Sequence, residues 1–343
     1  MLKRHPIFAY YLRKLITYVF TIWGAFTITF FLFRLLPSNP VDAWVKTLER
    51  QYAVQQSSSV ANTAAYYKEQ FGLNGTLGEQ YVRYMYQVFV KGNLGPSFVN
   101  YPDPVQTLIM KRLPWTIGLL GTSVILSWVA GIVIGLLAGW FRETRFSGAI
   151  TNIAISLSQI PAYLIALLLV LVVGYGLKWL PTRGAWDAQY SIGFTLPFIL
   201  SVLQHAILPA TAIVIVSVAG WILTTRSLII TLLGEDYLLY AEAKGLKPWN
   251  IMRRYALRNI MLPQATGLAL TLGAVMNGQL LIELLFVYPG LGDLLNLAIN
   301  VYDFNTVLGV ILISIVSVMT ASLLIDLALP LIDPRIRTQI QST

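Results

Sequence analysis

Long uninterrupted apolar runs, rather than alternating apolar and polar positions, dominate this chain. A helix needs roughly 20 apolar residues to cross the hydrocarbon core of a bilayer, and several segments of the chain reach that length. They lie at approximately Leu15–Leu36, Trp115–Trp140, Gly148–Leu177, Ile207–Leu233, Leu262–Glu283 and Thr306–Ile332. The pattern therefore predicts an all-α membrane protein of about six transmembrane helices.

A long polar stretch, Pro37–Pro114, separates the first two predicted helices. It contains the Gln- and Ser-rich segment Gln51–Ser59 and an aromatic, amphipathic patch at Tyr81–Phe89. Because this connection is too long for a simple loop, we expect it to form a small external subdomain. The predicted divisions are 1–36 for the N-terminal tail and first helix, 37–113 for the subdomain, 114–335 for a five-helix core with a cytoplasmic loop at 234–260, and 336–343 for the C-terminal tail.

Composition and charge also favour a membrane protein. Hydrophobic residues make up 56% of the chain and charged residues 11%, which is too few charges to cover a water-soluble surface. The apolar run Leu15–Leu36 is longer than that of a secretory signal, so we expect a retained anchor. Lys and Arg are densest in the N-terminal tail, after the second helix, in loop 234–260 and at the C-terminus, which predicts that both termini are cytoplasmic. This bias accounts for the net charge of +9 without nucleic acid as a partner.

The sequence contains no set of residues on which catalysis or metal binding could depend. It has no Gly-x-x-x-x-Gly-Lys-Ser/Thr loop, so we do not expect the chain itself to be an ATPase. The absence of cysteine excludes disulfides and thiolate ligands. His5 and His205 each stand without metal-ligand spacing, so we predict no catalytic residue, no metal site and no cofactor bound by this chain.

Five residues within the predicted helices are unusual for a lipid-facing segment. Gly131, Gly135 and Gly139 recur at four-residue spacing, which predicts a helix-packing seam, with a partner subunit as one candidate for the opposing surface. Ordinary glycine enrichment in membrane helices is the alternative. Pro161 predicts a kink in the third helix that neighbouring groups tolerate. Asp326 is the only acid deep in a predicted span, and we favour a structural pairing over a functional role.

The loop Gly234–Asn259 combines basic residues with positions of small side-chain bulk. It predicts two short helices, separated by Gly245 as a left-handed C-terminal stop and by Pro248 in the first turn of the second helix. Small residues at 241, 243 and 245 would allow another protein to approach closely, and a generic amphipathic loop is the alternative. The arginines of the second helix, Arg253, Arg254 and Arg258, are expected to face the cytoplasm.

The same loop resembles the "EAA" loop of ATP-binding-cassette importer permeases, which forms the coupling helix and sits in a groove of the nucleotide-binding subunit. The run Ala243–Leu246 is similar to that of the dipeptide/oligopeptide/nickel group, whereas Lys247-Pro248 stands where that group usually has Ser or a similar capping residue. The resemblance implies ATPase docking by Tyr237, Ala241, Ala243, Lys244, Gly245, Leu246, Arg253 and Arg254.

Further segments resemble the same group in the same order along the chain. An external signature loop contains Glu283, Phe286, Pro289, Gly290, Leu291 and Gly292, with Glu283 expected near the outer end of the fifth helix, where water or a cavity could solvate it. The other matches are Arg34–Pro37, Gly92–Gly95 with Ser97 (Asn93 replacing the usual Asp), Leu180-Pro181 with Gly184, and Asp333–Arg337.

The resemblance implies a multi-pass permease subunit in a bacterial or archaeal inner membrane. Its implied partners are a second homologous permease, two cytoplasmic ATPase subunits that bind ATP and Mg, and an external solute-binding protein. Its implied substrates are oligopeptides, nickel chelates or oligosaccharides. The alternative class is an ion-coupled secondary transporter, but the sequence shows no internal repeat and a single buried acid. A membrane-embedded enzyme or scaffold is a third class and lacks a polar constellation.

Overall fold

The computed structural model describes residues 6–35 and 65–332. Within these ranges the chain is helical, and an isolated bridge between Pro96 and Pro104 is the extended pairing found there. The helices are α1 (Pro6–Arg34), α2 (65–70), α3 (Leu77–Phe89), α4 (Val105–Trp140), α5 (Arg145–Ser158), α6 (Ala162–Gly176), α7 (Leu196–Leu232), α8 (Asp236–Ala243), α9 (Pro248–Ile251), α10 (Leu257–Ala274), α11 (Leu280–Leu285), α12 (Leu291–Asn300) and α13 (Phe304–Ile332).

The chain divides into two compact units. The first consists of Met1–Pro114, Met276–Leu280 and Pro289–Thr343, of which the structure describes residues 6–35, 65–114, 276–280 and 289–332. The second consists of Trp115–Val275 and Leu281–Tyr288. The boundary between Pro114 and Trp115 falls within α4, so one continuous helix contributes residues to both units.

The core of the first unit is aromatic. Phe26 and Phe30 of α1 are fully buried and both stack on Tyr84 of α3. Helix α3 begins with a capping box, in which the Thr76 side chain accepts from the Glu79 amide and the Glu79 carboxylate accepts from the Thr76 amide. The cap fixes the start of an amphipathic helix whose apolar face then meets α1.

Helices α1 and α13 of the first unit pack along each other, and Asp326 takes part in this contact. Lys14 Nζ lies 3.0 Å from Asp326 Oδ2, and the Tyr10 hydroxyl donates to the Asp326 carbonyl oxygen at 3.1 Å. Both charged side chains are about one-third exposed (35% and 27%), so the pair contributes modestly to stability. Asp326 is therefore paired with a cation of the first helix.

The second unit is centred on the contact between α4 and α7, where the three glycines lie. A Cβ added at Gly131 would meet Trp221 Cβ, and one at Gly139 would lie 2.8 Å from Ile229 Cβ. One at Gly135 would lie 2.7 Å from the Ile222 carbonyl oxygen. The glycine face is therefore covered by α7 of the same chain, and the suggestion that it faces a partner subunit is wrong.

The third predicted span, Gly148–Leu177, is broken. Helices α5 and α6 meet at 94° across a break of four residues or fewer, at Gln159–Pro161. The Pro161 ring lacks an amide hydrogen and excludes the α conformation at Ile160, so the helix cannot continue through this point. The predicted kink at Pro161 is therefore a sharp corner between two arms.

The number of spans is smaller than predicted when only continuous helices are counted. Among the described residues, α1, α4, α7 and α13 are long and apolar enough to cross a membrane, and the bent pair α5–α6 adds a fifth candidate. The predicted span Leu262–Glu283 coincides with α10 only as far as Ala274, after which a 3₁₀ turn and Gly278, with φ of +70°, interrupt the helix. The total of six remains a prediction.

Candidate functional site

Helices α8 and α9 form a hairpin that packs on the adjacent ends of α4 and α7. Leu238, Ala241 and Ile251 are buried in its core, against partly buried Trp140 of α4 and Leu232 of α7. Ala241 is only 3% exposed, so its small side chain lets α8 lie close to these helices. Its expected role as a docking surface for another protein is therefore wrong as stated, because its side chain faces inward.

Gly245 ends α8 in a fully hydrogen-bonded left-handed turn. Its φ is +73°, the Leu246 amide donates to the Ala241 carbonyl at 3.3 Å, and the Gly245 amide donates to the Glu242 carbonyl at 2.8 Å. These two bonds are those of a Schellman motif, and partly buried Leu246 packs against the same cluster as Ala241. The predicted stop at Gly245 is confirmed, and it sets the direction in which the chain enters α9.

The outward surface of the hairpin carries apolar side chains and charges of both signs, including the exposed acids Asp236 and Glu242. Tyr240 is 70% exposed and Trp249 61% exposed, and Leu239 is also exposed. The other exposed positions include five residues from the predicted docking set or beside it, namely Ala243, Lys244, Lys247, Arg253 and Arg254. Leu239 and Trp249 were missed by the sequence argument, because the sequence does not show which apolar residues of a short hairpin stay outside its core.

Tyr237 lies at the edge between these two surfaces. Its side chain packs against the Leu238–Ala241 cluster, and its hydroxyl oxygen is buried without a hydrogen-bond partner among the described residues. Burial raises the pKa of Tyr237, and nearby Glu235 raises it further. The hydroxyl is therefore neutral at physiological pH and available as a donor to a group that covers this edge.

The first part of the external signature lies inside the second unit rather than in an exposed loop. Glu283 is fully buried and accepts a 3.2 Å hydrogen bond from Thr116 Oγ1, so it does not lie at a helix end exposed to bulk water. Phe286 is also buried, and its carbonyl oxygen accepts from the Gly184 amide at 2.7 Å. Burial, followed by the nearby Glu283 charge, raises the pKa of Tyr288 to about 12.

The second part of the signature belongs to the first unit and shapes the start of α12. Gly290 is the N-cap of that helix, Gly292 is buried in its first turn, and Pro289 precedes them half-buried. The closing match Asp333–Arg337 lies outside the described residues.

A buried carboxylate of the first unit organises the segment around Ser97. Asp303 Oδ2 accepts from Ser97 Oγ at 2.6 Å, from the Phe98 amide at 2.6 Å, from the Val99 amide at 3.1 Å and from Thr306 Oγ1 at 2.6 Å. Asn305 Nδ2 donates to the Pro96 carbonyl oxygen at 3.1 Å. The sequence indicated the motif at Gly92–Ser97 but not that Asp303 holds it in place.

The helices and the exposed hairpin define a multi-pass, all-α membrane protein. Residues 131–338 match the family described as "Binding-protein-dependent transport system inner membrane component", which is more than half of the chain. The chain belongs to this family, and it is an inner-membrane subunit of a binding-protein-dependent transport system. This class is distinct from the ion-coupled secondary transporters that the sequence left as an alternative.

Several curated relatives align with nearly the whole chain. The oligopeptide transport system permease protein AppB of Bacillus subtilis is 29% identical, covering 96% of this chain and 99% of the relative. The di/tripeptide transport system permease protein DppB of Pseudomonas aeruginosa is 29% identical, covering 95% and 98%. The dipeptide transport system permease protein DppB of Escherichia coli is 28% identical, also covering 95% and 98%. The predicted resemblance to the dipeptide/oligopeptide group is confirmed.

Proposed function

We propose that this chain forms half of the path by which an ATP-driven importer moves dipeptides or oligopeptides across the membrane. In this proposal the second half is a homologous permease, an external binding protein delivers the solute, and two cytoplasmic ATPase subunits bind ATP and Mg. The chain itself catalyses no reaction. Support comes from its family and from relatives that are named as dipeptide, di/tripeptide and oligopeptide permeases.

The observation on which the ATPase contact rests is the division of the α8–α9 hairpin into two faces. Leu238, Ala241 and Ile251 anchor one face to the second unit, whereas Tyr240 and Trp249 leave large aromatic surfaces outside any core. Aromatic and Arg side chains are the residues that dominate binding energy when a partner covers them. The exposed Arg253 and Arg254, which lie between α9 and α10, extend this surface.

The proposal is tested by adding charge to the exposed aromatic face. We expect Tyr240→Asp and Trp249→Asp each to reduce co-purification of the ATPase subunits at least about tenfold, because loss of a central aromatic contact costs roughly 2 kcal/mol or more. Phe194→Asp, which changes a fully exposed aromatic residue between α6 and α7, is the control and should leave assembly unchanged. Normal ATPase recovery in both hairpin variants would contradict the docking role.

The substrate class is tested with the complete complex in proteoliposomes. We expect ATP-dependent uptake of a labelled dipeptide or oligopeptide when the cognate binding protein is present outside, and no uptake without it. Nickel chelates and oligosaccharides serve as alternative labelled solutes. Uptake of either of these, with no uptake of any peptide, would replace the peptide assignment and leave the permease assignment in place.

A further inference from the structure

The second unit has an open apolar groove between α4, α5 and α7. Its volume is about 350 Å³, and its wall is almost entirely hydrocarbon. Residues that line it include Ile134, Leu137, Phe146, Ile150, Ile153 and Ile222. The groove therefore has almost no groups that could form hydrogen bonds with a polar solute. It lies along apolar helices of membrane-spanning length.

One end of the groove is basic. Arg145 directly precedes Phe146 at the start of α5, and Arg226 lies one turn beyond Ile222 on the same face of α7. The Arg226 Nε atom is buried and has no hydrogen-bond partner within 6–35 and 65–332. Arg145 is exposed and makes no ion pair within those ranges.

One acid also stands at this end of the groove. Glu143 Oε1 lies 3.9 Å from Arg142 Nε, and its side chain is 89% exposed. This contact partly neutralises Arg142, which leaves Arg145 and Arg226 as the two cations at this end of the groove. Two cations against one exposed acid still leave a net positive charge where the groove ends.

We propose that this groove binds one anionic phospholipid, with an acyl chain along α5 and the phosphate at Arg145 and Arg226. Arg145 is exposed and Arg226 is partly exposed, so their guanidinium groups can donate charge-assisted hydrogen bonds to a phosphate oxygen. Basic groups at the predicted cytoplasmic end of apolar helices are placed for the headgroups of an anionic leaflet. This lipid is a structural ligand and is separate from the transported solute.

The chain contains no cysteine, so one introduced cysteine can be labelled selectively on this subunit. Ile153 lines the groove and is 59% exposed, so Ile153→Cys provides a single attachment point on this chain for a fluorophore. The assembled complex is placed in phosphatidylcholine vesicles that contain a small fraction of brominated phosphatidylglycerol or, separately, of brominated phosphatidylcholine. Ile16→Cys on α1, with an exposed fraction of 60%, is the reference position.

We expect brominated phosphatidylglycerol to quench the label at 153 more strongly than brominated phosphatidylcholine, with no such preference at 16. Arg226→Gln should reduce the preference about fivefold, the effect of one cation at a membrane surface. Arg258→Gln removes the same charge from another exposed position of the chain and should leave the preference unchanged. Soluble glycerol phosphate should not compete, because it has no acyl chain.

Four results would overturn the proposal. Equal quenching by both brominated lipids, or an unchanged preference in Arg226→Gln, would mean that the groove holds only bulk lipid. Displacement by glycerol phosphate would indicate a soluble phosphate site. Protection of the label from both lipids, together with crosslinking of position 153 to the second permease, would make the groove a subunit interface.

Discussion

Asp303 shows how one buried side chain can hold a loop through its charge. Four donors converge on a single oxygen atom, so the carboxylate satisfies backbone amides of this segment that have no strand partner. Its second oxygen accepts from the Thr306 amide at 3.1 Å at the start of α13. The segment around Ser97 is thereby tied to the end of a long apolar helix.

An asparagine at position 303 should be nearly as harmful as an alanine. The amide oxygen could take the place of Oδ2, but the NH₂ group would then face the Thr306 amide and leave that donor unsatisfied, at roughly 1–3 kcal/mol. The four remaining hydrogen bonds would also lose the charge of the carboxylate, which weakens each of them. We expect Asp303→Asn to lower the unfolding temperature in detergent almost as far as Asp303→Ala. Asp187→Asn is the control, because the Asp187 carboxylate accepts from Gln189 in an exposed turn. An unchanged unfolding temperature in Asp303→Asn would mean that the charge of the carboxylate does not hold the loop.

The role of Asp303 could not have been predicted from the sequence. Ser97 and Asp303 are 206 positions apart, and nothing in either local pattern points to the other. Glu283 was expected near a helix end where water or a cavity could solvate it, because a carboxylate at such an end is ordinarily solvated. In the structure it is buried and accepts from Thr116, which is 167 positions away along the chain.

Gly245 governs the α8–α9 hairpin through backbone conformation alone. A Cβ at this position would have nothing within 4 Å, so the effect of a substitution comes from φ of +73° and not from a clash. We expect Gly245→Val to destabilise the hairpin by about 1–2 kcal/mol and to weaken ATPase association, whereas Gly245→Asn should cost less because Asn tolerates this conformation. Co-purification of the ATPase measures both. Equal effects of Val and Asn would point to contact with the partner instead.

The seam between α4 and α7 should tolerate no added methyl group. At Gly135 an added Cβ would press on backbone atoms of Ile222, which cannot move without shifting α7. We expect Gly135→Ala to destabilise the protein by roughly 1–3 kcal/mol, measured by thermal unfolding in detergent. Gly220→Ala on α7 has open space around it and should be neutral or slightly stabilising. Similar melting temperatures for both variants would contradict the close packing.

Sequence patterns predicted the elements best where the solvent alone decides the outcome. The runs that became α1, α4, α7 and α13 had to be long apolar helices, because lipid offers the backbone no hydrogen bonds. The corner at Pro161 and the interruption after Ala274 were predicted poorly, because the extent of a break depends on which neighbours receive the freed backbone groups. The stop at Gly245 was predicted because it requires only local backbone geometry.

At the scale of the whole molecule, the predicted number of six membrane crossings can be tested directly. With both termini inside, six crossings place the α8–α9 hairpin in the cytoplasm and the α12–α13 turn outside. We expect Trp249→Cys to react with a membrane-impermeant thiol reagent only from the cytoplasmic side, and Val301→Cys only from the outer side. Both residues are exposed, and the chain contains no other cysteine. Labelling of both from the same side would remove the crossing predicted at Leu262–Glu283.

The sequence predicted the class of the protein better than it predicted which residues form the exposed face of the hairpin. Several short motifs in a fixed order indicated the permease group, and the family match to residues 131–338 confirmed it. The exposed face of the hairpin was predicted incompletely, since Ala241 turns inward while Leu239 and Trp249 turn outward. Such a division is set by how a hairpin seats on its neighbours, which no local pattern encodes.

Helix α7 has a mechanical consequence that follows from its length. Its 37 residues form a rod about 55 Å long, well beyond the thickness of the hydrocarbon core. The hairpin is seated at one end, so a tilt of a few degrees there would sweep the far end through several ångströms. Pro209, buried inside this helix, has no amide hydrogen to donate, so one bond of the backbone ladder is missing near the far end.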